Sequence, residues 1–229
     1  MYAIRGNGVK ARGKFITFEG IEGVGKSTQI HLLAENLRDG GYSVLVTREP
    51  GGTPLGEKIR AILSDPANGN MSAKTELCLF LAARAQHTRD LILPALLEGT
   101  VVLSDRYADA SVAYQGDGRG LGPEFVKEQN DWATDGLAPD LTFWLDLPPE
   151  LGLSRVVKRF ADQGVAPDRL DQETLEFYRR VRKGYHELAL QTPARIIRVQ
   201  AEQPVEKVQK EILSAFKQFV RKQETSGVS

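Results

Sequence analysis

The run Gly20-Ile21-Glu22-Gly23-Val24-Gly25-Lys26-Ser27-Thr28 has the residue types and spacing of a phosphate cradle. It reads G-x-x-x-x-G-K-S. In this pattern the glycines let successive backbone N–H groups turn toward phosphate oxygens. Lys26 would reach the outer phosphates and the Ser27 hydroxyl would ligate Mg²⁺. Asp105 follows an apolar run and is placed to complete such a magnesium site. Its neighbour Arg106 carries a fork of donors suited to phosphate.

A second group of cations, Arg155, Lys158, Arg159 and Arg169, crowds the stretch 155–169. A solvated face is the better reading for Arg155 and Lys158. A flap closing over a nucleotide could, however, deliver Arg159 or Arg169 to a phosphoryl group in flight and shut out water. Residues 21–24 contain no arginine, so an extra cation comes from elsewhere in the chain, from a partner, or is not needed. Phe80, Arg84, Ser111, Tyr114 and Gln115 form a third group. An aromatic ring could stack on a planar ligand and the polar side chains could read its edges. Spacing alone favours Phe80 as a core residue.

The elements that must hold these groups alternate. Lys14–Glu19 is a short β-type run before the glycine loop. Ile30, Leu33, Ala34 and Leu37 after it recur at helical spacing. Gly40-Gly41 ends that helix. Strands are expected at 42–47, 100–104, 141–145 and 195–199. Helices are expected around Leu55–Leu63, from Ser72 to about Glu98 with a kink at Pro94, from Pro123 to near Gly136, from Pro148, over Leu175–Leu188 and from Val205 to Lys222. Gly116–Gly120 and 161–169 read as loops. The pattern predicts an α/β fold, a five-stranded parallel sheet with helices on both faces and a short mobile lid. The glycine loop makes the first strand central. Residues 1–13 read as a disordered N-terminal extension, 14–222 as a single domain with its lid at about 155–170, and 223–229 as a frayed tail.

Composition narrows the function. The chain has 229 residues, with 30 Lys plus Arg against 30 Asp plus Glu. This balance offers no field for nucleic acid or an acidic membrane surface. No run of about 18 apolar residues is present to span a membrane. The single cysteine, Cys78, excludes an internal disulfide and reads as a buried thiol. Both points fit a reducing cytoplasm.

Six stretches taken together, FITFEGIEGVGKST (15–28), TREPGGTPL (47–55), ELCLFLAARAQH (76–87), DRYADASVAYQGDGRG (105–120), GLAPDLTFWLD (136–146) and RLDQE (169–173), resemble the bacterial thymidylate kinases. The likeness spans about Gly13 to Phe219. It implies a P-loop kinase fold, transfer of the γ-phosphoryl group of ATP to dTMP, Mg²⁺ as cofactor, and a homodimer. Gly20–Thr28 would hold ATP, with Lys26, Asp105 and Arg106 in the catalytic group and Ser27 and Asp105 at the metal. Glu22, Glu49, Arg60, Phe80, Arg84, Arg106, Ser111, Tyr114 and Gln115 would form the dTMP pocket, with Phe80 against thymine. Gly23 stands where some members carry a P-loop arginine. The resemblance then implies that the lid supplies one, from Arg159 or Arg169. The lid is longer than usual by a segment at Gly164–Pro167. Two other readings remain open from the residues: a kinase for another nucleoside monophosphate, and a nucleotide switch or ATPase acting through a protein partner.

Overall fold

The structure is a computed structural model that describes residues 12–164, 166 and 168–226. Strand β1 (Phe15–Glu19) leads through the glycine loop into helix α1 (Lys26–Asp39). Then come β2 (Val44–Arg48), α2 (Pro54–Ser64), α3 (Ala73–His87), α4 (Leu93–Leu97) and β3 (Val101–Asp105). They are followed by α5 (Ala108–Ser111), α6 (Pro123–Ala133), β4 (Leu141–Asp146) and α7 (Pro149–Gln163). The described chain closes with α8 (Leu175–Gln191), β5 (Ile196–Gln200) and α9 (Val205–Ser226).

All strand pairs are parallel, in the order β2-β3-β1-β4-β5. β1 is therefore central, with Ile16 between Leu103 of β3 and Leu141 of β4. Side chains alternate across the sheet. Ile16 and Phe18 pack with Ile30, Leu33 and Leu37 of α1 on one face, while Phe15 and Val102 pack with Ile92 and Leu96 around α4 on the other. Burial of both faces explains why the inner strands read as unbroken apolar runs. Side-chain caps set several helix starts. Thr53 accepts from Gly56 N at 3.0 Å, with Pro54 at the first turn, and Ser72 accepts from Thr75 N at 3.1 Å.

Several sequence expectations are corrected. The region after α3 does not merely bend at Pro94, because a π-helical turn at Thr88–Ile92 precedes it. Gly116–Gly118 does not open a loop but continues a π-helical segment, Val112–Gly118, from α5. A Cβ on Gly116 would stand 2.9 Å from Pro123 Cα, so close packing rather than a turn calls for this glycine. The lid helix α7 runs to Gln163. Cys78 is exposed, since its neighbours Leu77 and Leu81 take the buried face of α3. Residues 1–11 of the expected extension lie outside the described residues. Gly13 is buried, however, and donates to Leu96 O at 2.8 Å, while Arg12 pairs with Asp140 at 3.1 Å. At the other end α9 continues through Ser226, and residues 227–229 lie outside the described residues. Among the described residues no helix is long and apolar enough to cross a membrane.

Candidate active site

The strand ends converge on the glycine loop. Asp105 closes β3, beside Phe18 of β1 and Arg48 of β2. Ile21 and Val24 anchor the loop in the core. Gly23 (φ 73°) abuts the lid helix, where a Cβ would lie 2.3 Å from Gly152 O. A Cβ on Gly152 would in turn meet Glu22 O at 2.6 Å. The two backbones touch, so no side chain, arginine included, fits at 23 in this conformation.

Lys26 Nζ donates to Gly20 O at 3.2 Å and Ile21 O at 3.0 Å, both within the loop. Burial, and then the charge of Arg106, lower its pKa to about 8. Ser27 Oγ donates to Asp105 Oδ2 at 3.1 Å. These and the exposed Thr28 border a cleft of about 1330 Å³ of solvent-open space, whose far walls bear Arg60, Arg155 and Arg159. Arg155 also reaches Gly23 O at 3.3 Å. It borders the cleft while staying exposed, in keeping with a solvated face. Arg60 is held by Pro50 O at 3.1 Å.

A second pocket, of about 460 Å³, opens beside the first. Phe80, Ser111, Tyr114 and Gln115 line it, and the two spaces share Glu22, Pro50, Arg106 and Leu170. Arg106 has φ 71°, a conformation costly for a side-chain-bearing residue and characteristic of functional sites. Its guanidinium donates to Gly20 O at 2.8 Å and Glu22 Oε1 at 2.6 Å, and lies 4.8 Å from the centre of the Tyr114 ring. Tyr114 donates to the other Glu22 oxygen at 2.8 Å. Glu22, Arg106 and Tyr114 thus form the wall between the two spaces.

Two arginines are not where the sequence led. Arg84, 1% exposed, donates to Glu49 Oε2 at 2.7 Å, Ser111 Oγ at 2.9 Å, Asn130 Oδ1 and Tyr107 O. It braces the pocket from behind rather than lining it. Arg169 is buried and bonded to Leu63 O at 2.6 Å and Glu76 Oε2 at 2.8 Å. Its charge is matched by Glu76 and it does not border the phosphate cleft, so of the two lid candidates only Arg159 stands there.

Sequence reasoning also passed over supporting residues. His87 Nδ1 donates to Glu49 Oε1 at 2.9 Å, and its Nε2 faces Thr47 Oγ1 at 2.7 Å, fixing the carboxylate that orients Arg84. A Cβ on Gly52 would stand 2.5 Å from this imidazole. Glu19 accepts from Tyr107 N at 2.8 Å and Tyr185 Oη at 2.7 Å. Burial and the nearby Asp109 carboxylate push it up to about 8. Glu76, Phe80, Arg84 and His87 recur at helical spacing along α3, a stripe that points them toward one site.

A phosphate-type loop between a central parallel strand and its helix, facing a second pocket across one shared wall, is the architecture of the P-loop kinases. The family model described as thymidylate kinase matches residues 18–212. A thymidylate kinase of Halothermothrix orenii is 50% identical over 210 residues, covering 90% of this chain and 97% of that one. One from Alkalilimnicola ehrlichii is 51% identical over 197 residues, covering 86% and 89%. The crystal structure of thymidylate kinase from Ehrlichia chaffeensis matches with a TM-score of 0.72 and 34% identity, over 90% of this chain and 99% of that chain. The chain belongs to the thymidylate kinase family.

Proposed function

We propose that this enzyme transfers the γ-phosphoryl group of ATP to dTMP, giving dTDP and ADP. The observation that carries the reading is the shared wall: donor cleft and acceptor pocket meet at Glu22 and Arg106. In this reading the backbone of Gly20–Thr28 and Lys26 hold the ATP phosphates. An incoming polyphosphate would replace Gly20 O and Ile21 O as partner of Lys26 and favour its charged form. Arg106 and Arg60 would take the acceptor phosphate, Phe80 would stack on thymine, and Ser111 and Gln115 would read its polar edges. Glu22 would lie near the sugar hydroxyl, with Tyr114 closing over the sugar. Arg84 would act from behind, by holding Ser111 and Glu49, the latter at the border of the phosphate cleft.

The Ser27 hydroxyl and the Asp105 carboxylate are the hard oxygen donors that Mg²⁺ takes alongside phosphate. Mg²⁺ held there would offset the charge on the donor phosphates. Residues of about 155–170 would form the lid, with Arg159 supplying charge to the phosphoryl group in flight.

We also propose a homodimer. Leu55 and Ile62 on α2 and Phe125 and Trp132 on α6 are exposed apolar side chains, Trp132 at 78%, and both helices pack against α3. Sedimentation at micromolar concentration would give twice the chain mass if this is right. We place the enzyme in the cytoplasm, the compartment of its nucleotide substrates.

ADP release measured with and without dTMP tests the function. Strict dependence on dTMP is expected. Equal ATP turnover without it would support a switch or ATPase, and faster turnover of another nucleoside monophosphate would support a different acceptor. One methyl group in an apolar pocket discriminates by only about 1–3 kcal/mol, so dUMP should retain measurable activity.

A further inference from the structure

Glu76 has no part in the chemistry described above, yet it stands in the first turn of α3 with its side chain 2% exposed. Each of its oxygens is bonded twice. Oε1 accepts from Gln115 Nε2 at 2.9 Å and Arg119 Nε at 3.0 Å. Oε2 accepts from Arg119 Nη2 at 3.0 Å and Arg169 Nη1 at 2.8 Å. Burial works against its charge, but the hydrogen bonds from Arg119 and Gln115 outweigh it and hold the carboxyl below its ordinary range.

The donors come from parts of the chain with different duties. Gln115 and Arg119 line the acceptor pocket, as does the edge of Glu76 itself. Arg169 begins the lid return and is fixed twice more, by its backbone N to Ser64 O at 3.0 Å and its Nε to Leu63 O. Arg119 pairs also with Glu173. Between Arg169 and Glu173 lies a 3₁₀ turn, Leu170–Gln172. Leu170 borders both spaces, and Asp168 and Asp171 border the phosphate cleft. One carboxylate therefore sets both an acceptor-reading side chain and the segment that walls the donor side.

We propose that Glu76 is a positioning residue that ties Gln115 to the lid return at 169–173, so that filling the acceptor pocket and ordering the end of the lid are a single event. It borders the acceptor pocket and reaches the lid return through Arg119 and Arg169. Without its charge, Arg169 and Arg119 lose their shared counter-ion in a buried place, and Arg169 Nη2 already has no protein hydrogen-bond partner. The lid return then has no reason to hold its position when the acceptor binds. The inference rests on reading the second pocket as the dTMP site.

The test pairs hydrogen–deuterium exchange of residues 168–173 with dTMP titration calorimetry and steady-state kinetics, on the wild type and Glu76→Gln. In the wild type, dTMP should slow exchange in this segment at least about fivefold, the lower end of ordinary coupling between sites. In Glu76→Gln the slowing should vanish, the KM for dTMP should rise about tenfold, and kcat should fall as well. If Glu76→Gln does not fold, Arg169→Gln takes its place. It leaves Glu76 and Gln115 paired and should lose the slowing while still binding dTMP. Slowing of wild-type size in the variant would overturn the proposal. So would a wild type that binds dTMP with no change at 168–173, which would leave the kinase reading standing. A wild type that does not bind dTMP would overturn the kinase reading itself.

Discussion

Glu19→Gln should change how the fold responds to pH. Glu19 ends the central strand, directly before the first glycine of the cradle, and is fully buried. Burial and Asp109 raise its pKa from 4.5 to about 8, against the pull of Arg106 and the hydrogen bonds from Tyr185 and Tyr107 N. Below pH 4.5 the folded and unfolded chains both hold the proton, and Glu19 makes its full contribution. Between 4.5 and about 8 the unfolded chain has released the proton that the fold keeps. Each pH unit in that window then costs the fold about 1.4 kcal/mol, levelling above pH 8 at about 5 kcal/mol in all. Glutamine mimics the protonated state. Its Oε1 can accept from Tyr107 N, and its Nε2 can donate to Tyr185 Oη.

Urea unfolding at steps from pH 5 to pH 9 reads the difference. At pH 5 the two proteins should agree within about 1 kcal/mol, and at pH 9 the variant should be the more stable by several. Comparing variant with wild type cancels the other titrating groups, among them Asp146, which its arginines hold ionised. A constant difference across the range would refute the reasoning. It would mean that Arg106 and the tyrosines keep Glu19 ionised inside the fold.

Gly152→Ala should push α7 off the cradle, because the new methyl would stand 2.6 Å from Glu22 O. kcat/KM for ATP should fall by about tenfold or more with little change in dTMP affinity, measured by initial rates and calorimetry. Phe80→Ala should raise the dTMP KM by about 10- to 100-fold, the worth of one base stacked on an aromatic ring, and leave the ATP KM near its original value. Arg159→Ala should lower kcat by about 10²-fold or more while dTMP binds as before, and full kcat in that variant would remove the lid arginine from the mechanism.

The parts legible from sequence were those set by local rules. A G-x-x-x-x-G-K-S run between a β-type stretch and a helix-period stretch leaves few folds, and apolar runs alternating with helical stripes required a parallel sheet with β1 inside it. The residues that sequence missed or misplaced depend on distance in the chain. Glu76 reads as a first-turn helix acid, yet its partners are 39, 43 and 93 residues away. Arg169 looks like one more lid cation until the end of α2 and the start of α3 are seen closing on it. Arg84 carries the right chemistry for reading a base, but Glu49, Ser111, Asn130 and Tyr107 claim its donors, and only folding brings these four together. Cys78 was misread because the apolar run around it hides the period of α3, whose buried positions are Leu77 and Leu81. Gly23 shows both sides of the problem. Its lack of a side chain turns the search for a cation to other parts of the chain. The reason for the glycine, the Gly152 backbone pressed against it, comes from a helix more than a hundred residues downstream. The same contact joins the donor cradle to the lid that would carry the missing charge. The feature that bars an arginine from the loop is thus the one that lets α7 bring Arg159 to the cleft.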